Sequence, residues 1–523
     1  MKKHIFNRPV ALVMAAVFSL MSVAEPFAGT YDVFAAEADA DLPEGETGEV
    51  RYAAGDAVTR QADGNAQPEG FAADCVMTTE ADWEYTIDDS DNIVLEKYKG
   101  SATQIIIPGT MTVEQTSHNV IFQSMGAGAE GSTATNVVSI VVGEGVTAYP
   151  QSVYSEDGPE CFFGSCSNLE NLDISNLDTS AMTMMNYMFH DCSKLKSINL
   201  IHNDTENVGR MIGLFKNCSS LEEVILHDEK SDENLFDAYH VDNMSSMFEG
   251  CSSLKSIDMS ALYSPRVTSM VRTFAGCSSL TELDMSQLDT SSVIDFTGLF
   301  ENCTGLKEIN TDNSRITNSA VGMERMFYGC SSLTYLDVYN FNVKTVRSMK
   351  EMFAGCSSLT RLDISSWEAL SLEDVSGMFA GCSSLTKILG SDLDLFMVYN
   401  LNEDQGRDMF LGCTKLVGGQ GTVYSSEHTG VSYAHRDLAQ NSLPGYFSTY
   451  YKTTLSDWDC TLVPADDNWN FEKVLIKNYK GTATDIRIPV YLDYTDGDGV
   501  LHENCRVGFG GMMEGKTASN TAE

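Results

Sequence analysis

The chain has 523 residues, 43% of them apolar, which is material for a substantial core and for more than one domain. Against 33 Lys and Arg stand 74 Asp and Glu, a net charge of −41 that argues against nucleic acid and anionic lipid as partners, because their binding relies on basic patches. Cationic and neutral partners remain open.

Residues 1–24 read as a secretory signal: Lys2, Lys3 and Arg8 make the basic start, Val10 to Leu20 the apolar run, and Ser22-Val23-Ala24 a small-residue cleavage pattern, with cleavage after Ala35 as the alternative. The apolar run is shorter than the roughly 18 residues of a membrane span, and no later stretch reaches that length. The expectation is export, with no membrane insertion of the mature chain. Residues 36–80 are rich in Ala, Asp, Glu and Gly and nearly free of apolar periodicity, as a flexible acidic linker would be. A small β-rich module is expected over 81–136, as a cap. Its line Val94-Leu95-x-x-Tyr98-Lys99-Gly100-x-Ala102-Thr103 recurs as Leu475-Ile476-x-x-Tyr479-Lys480-Gly481-x-Ala483-Thr484, so 449–523 reads as a partial second copy.

Between the copies lies a repeat, expected over 137–417 and opened by a strand at Val138 to Val142. Ten cysteines fall in register: Cys166, Cys192, Cys218, Cys251, Cys277, Cys303, Cys330, Cys356, Cys382 and Cys413, with a core period of 26 residues and two longer intervals of 33 and 31. Offsets are counted from these cysteines. Phe stands at −3 and Leu at +3 in every copy; −7 and −4 are mostly Met, +6 is aliphatic in nine copies and +8 usually so. Apolar residues at −7, −4, −3 and 0 follow one face of a helix, and those at +6 and +8 follow the period of a strand. The spacing therefore predicts a short helix, then a strand, in each coil. A capping residue is frequent at −8 (Asn243, Ser269, Asp295, Ser348, Asp374), and −1 is Gly in six copies and otherwise Asn, Asp or Ser, mostly residues that tolerate the left-handed end of a helix. Such a unit cannot bury its own Phe, Leu and Met and must stack on its neighbours. The fold class expected is an α/β repeat, a leucine-rich-repeat solenoid of about ten helix-strand coils and monomeric.

The line Met-Phe-x-Gly-Cys-Ser-Ser-Leu-x-x-Leu-Asp-x-Ser, as at Met352 to Ser365, resembles the BspA-like leucine-rich-repeat surface proteins, known also from lactobacillus-type and mycoplasma surface repeats. The resemblance spans about residues 83–448, and Leu416 to Phe447 is similar to the family's closing element, placed at 418–448. What it implies is a secreted or wall-attached bacterial protein, Gram-positive by expectation, that contacts host or neighbouring-cell proteins or glycans. The family offers no catalytic residues to carry over.

For the ten register cysteines, free buried thiols are expected rather than disulfides, because parallel neighbours about 4.8 Å apart exceed the Cβ separation of a disulfide. Zinc is disfavoured too, since no CxxC pair or His cluster accompanies them. Cys460 and Cys505 fall where the first module copy has Tyr85 and Ile121, which leaves a disulfide between them open. At +7 the strand carries Asp173, Asp258, Asp284, Asp337 and Asp363, with Asn199 and Asn310; one reading is a calcium ladder, the other a set of solvated carboxylates bonding local backbone. Outward positions +5, +7 and +9 change character in the C-terminal coils to Tyr335, Asp337, Tyr339, Arg361, Asp363 and Lys387, an aromatic and basic cluster on an acidic chain. Tyr and Arg often carry interface energy, which makes this the candidate ligand patch, with ordinary surface variation as the alternative. No HExxH, GxSxG or phosphate-binding Gly-rich motif is present, and the nine histidines are scattered. A non-enzymatic, cofactor-free adhesin is expected; the alternatives are a spacer projecting another domain and an extracellular hydrolase.

Overall fold

The computed structural model describes residues 75–448 apart from 151–161, 228–233, 312–318, 340, 391–400 and 438–443, and beyond 448 the stretches 451–452, 458–463, 473–480, 486–487, 491–495 and 501–509. The signal segment, most of the acidic linker and the polar insertion at 228–233 lie outside them. Contacts divide the chain into Met1–Gly64 and Asn65–Glu523, and every described residue belongs to the second unit. Among the described residues no helix is long and apolar enough to cross a membrane.

The described chain opens with β1 (Val76–Met77), β2 (Trp83–Ile87), β3 (Ile93–Tyr98), β4 (Gln104–Ile107), β5 (Thr110–Val113) and β6 (Thr116–Phe122). Strands β2 and β3 pair antiparallel with a bulge at Glu84/Tyr85, β3 pairs parallel with β6, and β5 closes antiparallel on β6. The parallel sheet β1-β4 continues through β7 (Ser139–Val142) into β9 (Asn171–Asp173), while the short β8 (Thr147–Ala148) pairs with β6. The core of this module therefore runs without a break into the first coil. Coil strands follow at β10 (Ser197–Asn199), β11 (Glu223–Ile225), β12 (Glu282–Asp284), β13 (Glu308–Asn310), β14 (Arg361–Asp363) and β15 (Lys387–Leu389), paired in parallel where they neighbour one another, and β16 (Phe447–Ser448) adds to β15. Beyond it come β17 (Tyr451–Lys452), β18 (Trp458–Val463), β19 (Lys473–Tyr479), β20 (Ile486–Arg487), β21 (Tyr491–Thr495) and β22 (Leu501–Phe509). Their pairings repeat those of β1–β6, down to a bulge at Asp459/Cys460. This register puts Cys460 opposite Ile476 and Ile476 opposite Phe509, so Cys460 and Cys505 stand two strand spacings and four residues apart. That is wider than the Cα separation a disulfide spans, and the open question of that bridge is answered against it.

Among the described residues of the coils the expected helix is not there. In the coil of Cys356 the N–H groups of Met349, Glu351, Phe353 and Gly355 donate to the carbonyls of Asp374, Ser376, Met378 and Ala380 in the next coil, at 2.7–2.9 Å. The N–H groups between them, of Met352, Ala354 and Cys356, turn back to carbonyls three residues earlier. A helix would keep every N–H within its own turn. Here every fourth residue flips into left-handed backbone, Glu351 at φ 53 and Gly355 at φ 78, and sends alternate N–H groups across to the neighbour. The apolar pattern could not distinguish the two structures. A ribbon of four-residue turns places −7, −4, −3 and 0 on one side just as a helix does, and Met349, Met352, Phe353 and Cys356 are all fully buried. Left-handed backbone at −1 matches the Gly and Asn found there; at −5 it falls on Tyr187, Ser246, Arg272, Arg325, Glu351 and Asp408, side chains that give no hint of it. Each such residue costs roughly 1–2 kcal/mol, which the inter-coil hydrogen bonds must offset.

A second parallel ladder runs through −8, where single residues from Met184 to Asp374 bridge coil to coil. The −8 side chains act as expected of turn starters although no helix follows: Asn243, Asp295 and Asp374 each accept the N–H two residues on. Inside, the Phe side chains at −3 form one stacked column from Phe163 to Phe410, with centroids 5.3–5.8 Å apart and planes within 20°. Phe122 stacks on Phe163 at 4.8 Å at one end, and Tyr446 and Phe447 meet Phe410 edge-on at 5.1 and 6.1 Å at the other. Both ends of the column are thus covered by aromatic rings from outside the coils, which removes the exposed apolar face a bare terminal coil would present.

Candidate ligand-binding face

Because Leu362 and Ile364 point into the core, Arg361 and Asp363 before and between them point away from it, and the same parity holds in the other coil strands except β15, where Leu389 at +7 is buried beside Ile388. The +5 offset forms an outward column: Asn171, Ser197, Glu223, Ser256, Glu282, Glu308, Tyr335, Arg361 and Lys387. Strand register sets Glu282 opposite Glu308 and Arg361 opposite Lys387. Tyr335, at the same offset between these pairs, is 57% exposed, the most exposed aromatic side chain among the described residues. Arg361 and Lys387 are half-buried.

The rest of the expected patch is drawn into the turn that follows the strand. An Asp337 carboxylate oxygen accepts the Tyr339 N–H at 2.9 Å, and one of Asp363 accepts the Ser365 N–H at 3.0 Å. Tyr339 is half-buried and its carbonyl accepts the Ser366 hydroxyl of the next coil. Asp173, Asn199, Asp258 and Asp284 repeat this turn, each holding the N–H two residues on. Of the two readings of the +7 column, local backbone bonding is the one observed. Of the expected patch, Arg361 and Lys387 face each other on paired strands and Tyr335 is exposed at the same offset one coil earlier, while Asp337, Asp363 and Tyr339 take part in the turns that follow.

The ten register thiols are free and buried. They are more than small apolar fillers: from Cys192 to Cys413 each Sγ–H donates to the carbonyl of the −3 Phe one coil earlier, at 3.0–3.2 Å. Burial pushes the thiols of Cys166, Cys303, Cys356 and Cys413 up to about 12, and the others are raised for the same first reason. A thiol of this kind holds its proton and is a poor nucleophile. The native chain at pH 8 should therefore show none of these ten thiols to a water-soluble thiol reagent, and all of them in guanidinium. Native labelling at any of the ten, located by peptide mass, would contradict the packing.

Two features escaped sequence reasoning. One is a charge ladder at −2 and −5 on the turn ribbon: Lys216–Glu249 at 3.1 Å, Glu249–Arg272 at 3.0 Å, Arg272–Glu301 at 2.5 Å, Glu301–Arg325 at 2.7 Å, then Arg325–Glu351, which fastens six successive coils. Arg325 also lies over the Tyr328 ring at 3.6 Å. Its signal in the sequence was the alternation of sign at these two offsets, hidden because it crosses from one offset to the other. The other is a corner where Tyr239 and Tyr263 stand 6.3 Å apart, 44% and 43% exposed, with His240 edge-on to Tyr239. A shallow cleft of about 250 Å³ near the closing segment is lined by Glu403, Asp404, Arg407, Asp408, Glu427 and His428, with Arg407 already paired to Asp404.

The chain matches the protein-family model described as "Mycoplasma protein of unknown function, DUF285" over residues 160–234, 226–333 and 314–416. No curated protein matches it. Similar solved structures include a leucine-rich repeat protein from Bacteroides ovatus, 20% identical, covering 64% of this chain and 92% of that one at a TM-score of 0.26. Another is a leucine rich cell surface protein from Faecalibacterium prausnitzii, 18% identical, covering 61% of this chain and 96% of that one, also at 0.26. Likenesses this low add nothing to what the coils themselves establish. The family match spans every register cysteine from Cys166 to Cys413, the same stretch that carries the Met-Phe-x-Gly-Cys-Ser-Ser-Leu motif, and what the chain is similar to there is a BspA-like leucine-rich-repeat surface protein.

Proposed function

We propose that the chain is an exported bacterial surface protein, attached to a Gram-positive wall, that binds host or neighbouring-cell proteins or glycans through the outward strand face, adhesin-like and without catalysis. The observation that carries this reading is the exposed Tyr335, just before the turn that Asp337 caps, at the same offset as Arg361 and Lys387, which face each other on paired strands. A rigid platform loses little entropy on binding, and Tyr and Arg supply large contact areas. The repeated polar groups are already engaged in folding: the +7 carboxylates in turns, the thiols in inter-coil hydrogen bonds. The variable column is where one coil differs from the next on this face, and so where ligand specificity can reside.

The test is an array of extracellular-matrix proteins and glycans probed with the full chain and with the Tyr335→Ala plus Arg361→Ala variant. The variant should lose at least about tenfold in affinity for whatever the native chain captures. Unchanged capture would overturn the assignment of the face, and no capture by the native chain would favour the spacer.

A further inference from the structure

Past its strand each coil turns a corner, and in four coils the corner is built the same way. Asp178, Asp204, Asp237 and Asp289, all at −14, each accept the N–H two residues on at 2.7–3.1 Å. The coil of Cys277 departs from this: Tyr263 stands at −14, and two residues on Pro265 has no N–H to be held. The proline makes the carboxylate unnecessary, and a ring takes its place. Tyr263 is exposed, so the core does not require it, and its ring stands 6.3 Å from the exposed ring of Tyr239 in the preceding coil. Among the described residues three aromatic side chains are exposed, and two of them meet here.

The pair is held in place. The Asp237 carboxylate accepts the Tyr239 N–H at 2.7 Å, and His240 meets the Tyr239 ring edge-on at 5.2 Å. The buried Ser264 hydroxyl donates to the Val241 carbonyl at 2.5 Å, which ties one corner to the other. Tyr263 falls between Asp237 and Asp289 at its own offset on the two neighbouring coils, and each of these carboxylates engages its turn through one oxygen. Arg266, exposed, follows His240 at −11. Two ring faces are thus set among carboxylate acceptors and nitrogen donors.

We infer that this corner binds a neutral sugar chain, a β-linked hexopyranose stacked by its C–H face on Tyr239 and Tyr263. A pyranose with equatorial hydroxyls has apolar C–H faces and a rim of groups that both donate and accept, the chemistry that the rings and their neighbours complement. Carboxylates beside the rings weigh against an anionic glycan, and Arg266 weighs against a cation. A proline-rich peptide docks in a groove lined by aromatic side chains, whereas these rings stand out on a turn. The site lies past the turn that ends the strand, and it holds or fails independently of the reading given to the strand face.

The experiment titrates the full chain with cellotetraose, a β-linked glucose tetrasaccharide, by calorimetry, with decaproline and tetramethylammonium as rival probes. Cellotetraose should bind with a Kd of about 1 mM or tighter. Tyr239→Ala plus Tyr263→Asp should weaken it at least about tenfold, whereas Tyr239→Phe plus Tyr263→Phe, which keeps both faces, should stay within about twofold of the native chain. Tyr335→Ala plus Arg361→Ala should leave this binding unchanged. Tyr263→Asp restores the residue type of the neighbouring corners, so an unchanged melting midpoint shows that the site is lost and the fold is not. Absence of cellotetraose binding at that level, binding that survives the loss of both rings, or a Phe variant that loses as much as the other would overturn the inference. So would decaproline or tetramethylammonium binding more tightly than cellotetraose through the same two rings.

Discussion

Phe300→Ala should lower the free energy of unfolding by about 3–5 kcal/mol, as should truncation of the other interior members of the Phe column. Phe300 is fully buried and stacks on Phe274 at 5.7 Å and on Phe327 at 5.5 Å, so truncation removes a large buried ring and two aromatic contacts at once. Its carbonyl also accepts the Cys330 thiol, so a shift of backbone into the cavity loosens the next coil. Nearest-neighbour coupling gives the result a second signature. The coils on the two sides of Phe300 should lose part of their cooperativity, so that hydrogen exchange in the neighbouring coils accelerates more than at Phe163 or Phe410. Phe300→Leu, which keeps most of the volume, should cost markedly less. A loss under about 1 kcal/mol in urea titrations of Phe300→Ala would mean that the aromatic column is not what holds the coils together.

Glu301→Ala should cost about 2 kcal/mol. Glu301 is 8% exposed and holds Arg272 through one carboxylate oxygen and Arg325 through the other. The guanidinium side chains are 39% and 33% exposed and keep Glu249 and Glu351 as partners, which is why the figure is set below that for a fully buried pair. Glu301→Gln should recover part of the loss by keeping the hydrogen bonds without the charge. The pH dependence has a definite sign through Glu249. Burial raises its carboxyl, but the bonds from Ser246, Lys216 and Arg272 outweigh that and hold it below its ordinary 4.5. Its contribution is therefore complete above the unfolded value and fades as pH falls through the lower folded one. Thermal melts of Glu301→Ala and the native chain at neutral pH check the magnitude; an unchanged midpoint would show the ladder to be ornamental.

Much of this molecule could be read from its sequence, and the places that could not share a cause. The Phe and Leu at fixed offsets forced stacking, and the parity of +6 and +8 gave the strands their inward face. The turn ribbon was misread as a helix because hydrophobic spacing reports which residues face inward, not where their N–H groups go. The left-handed residues at −5 had no compositional mark, since Tyr187, Arg272 and Glu351 occupy them beside Gly213 and Gly377. The thiols looked like filler because their hydrogen bonds reach carbonyls 29 or more residues away. Of the six patch residues, Tyr335, Arg361 and Lys387 could be placed together because they share one offset. Asp337, Asp363 and Tyr339 sit next to them in sequence, yet local Asx turns and contact with the next coil take up their polar groups.

The claim at the centre of this account is a division of labour: repeated residues hold the coils, and the variable outward column meets the ligand. It is tested most directly by measuring stability and ligand capture together in two variants, Tyr335→Ala plus Arg361→Ala and Glu301→Ala. The first should lose capture with its melting midpoint nearly unchanged, and the second should melt earlier yet capture ligand normally while folded. The opposite pattern, capture lost with Glu301→Ala and kept with Tyr335→Ala plus Arg361→Ala, would contradict it.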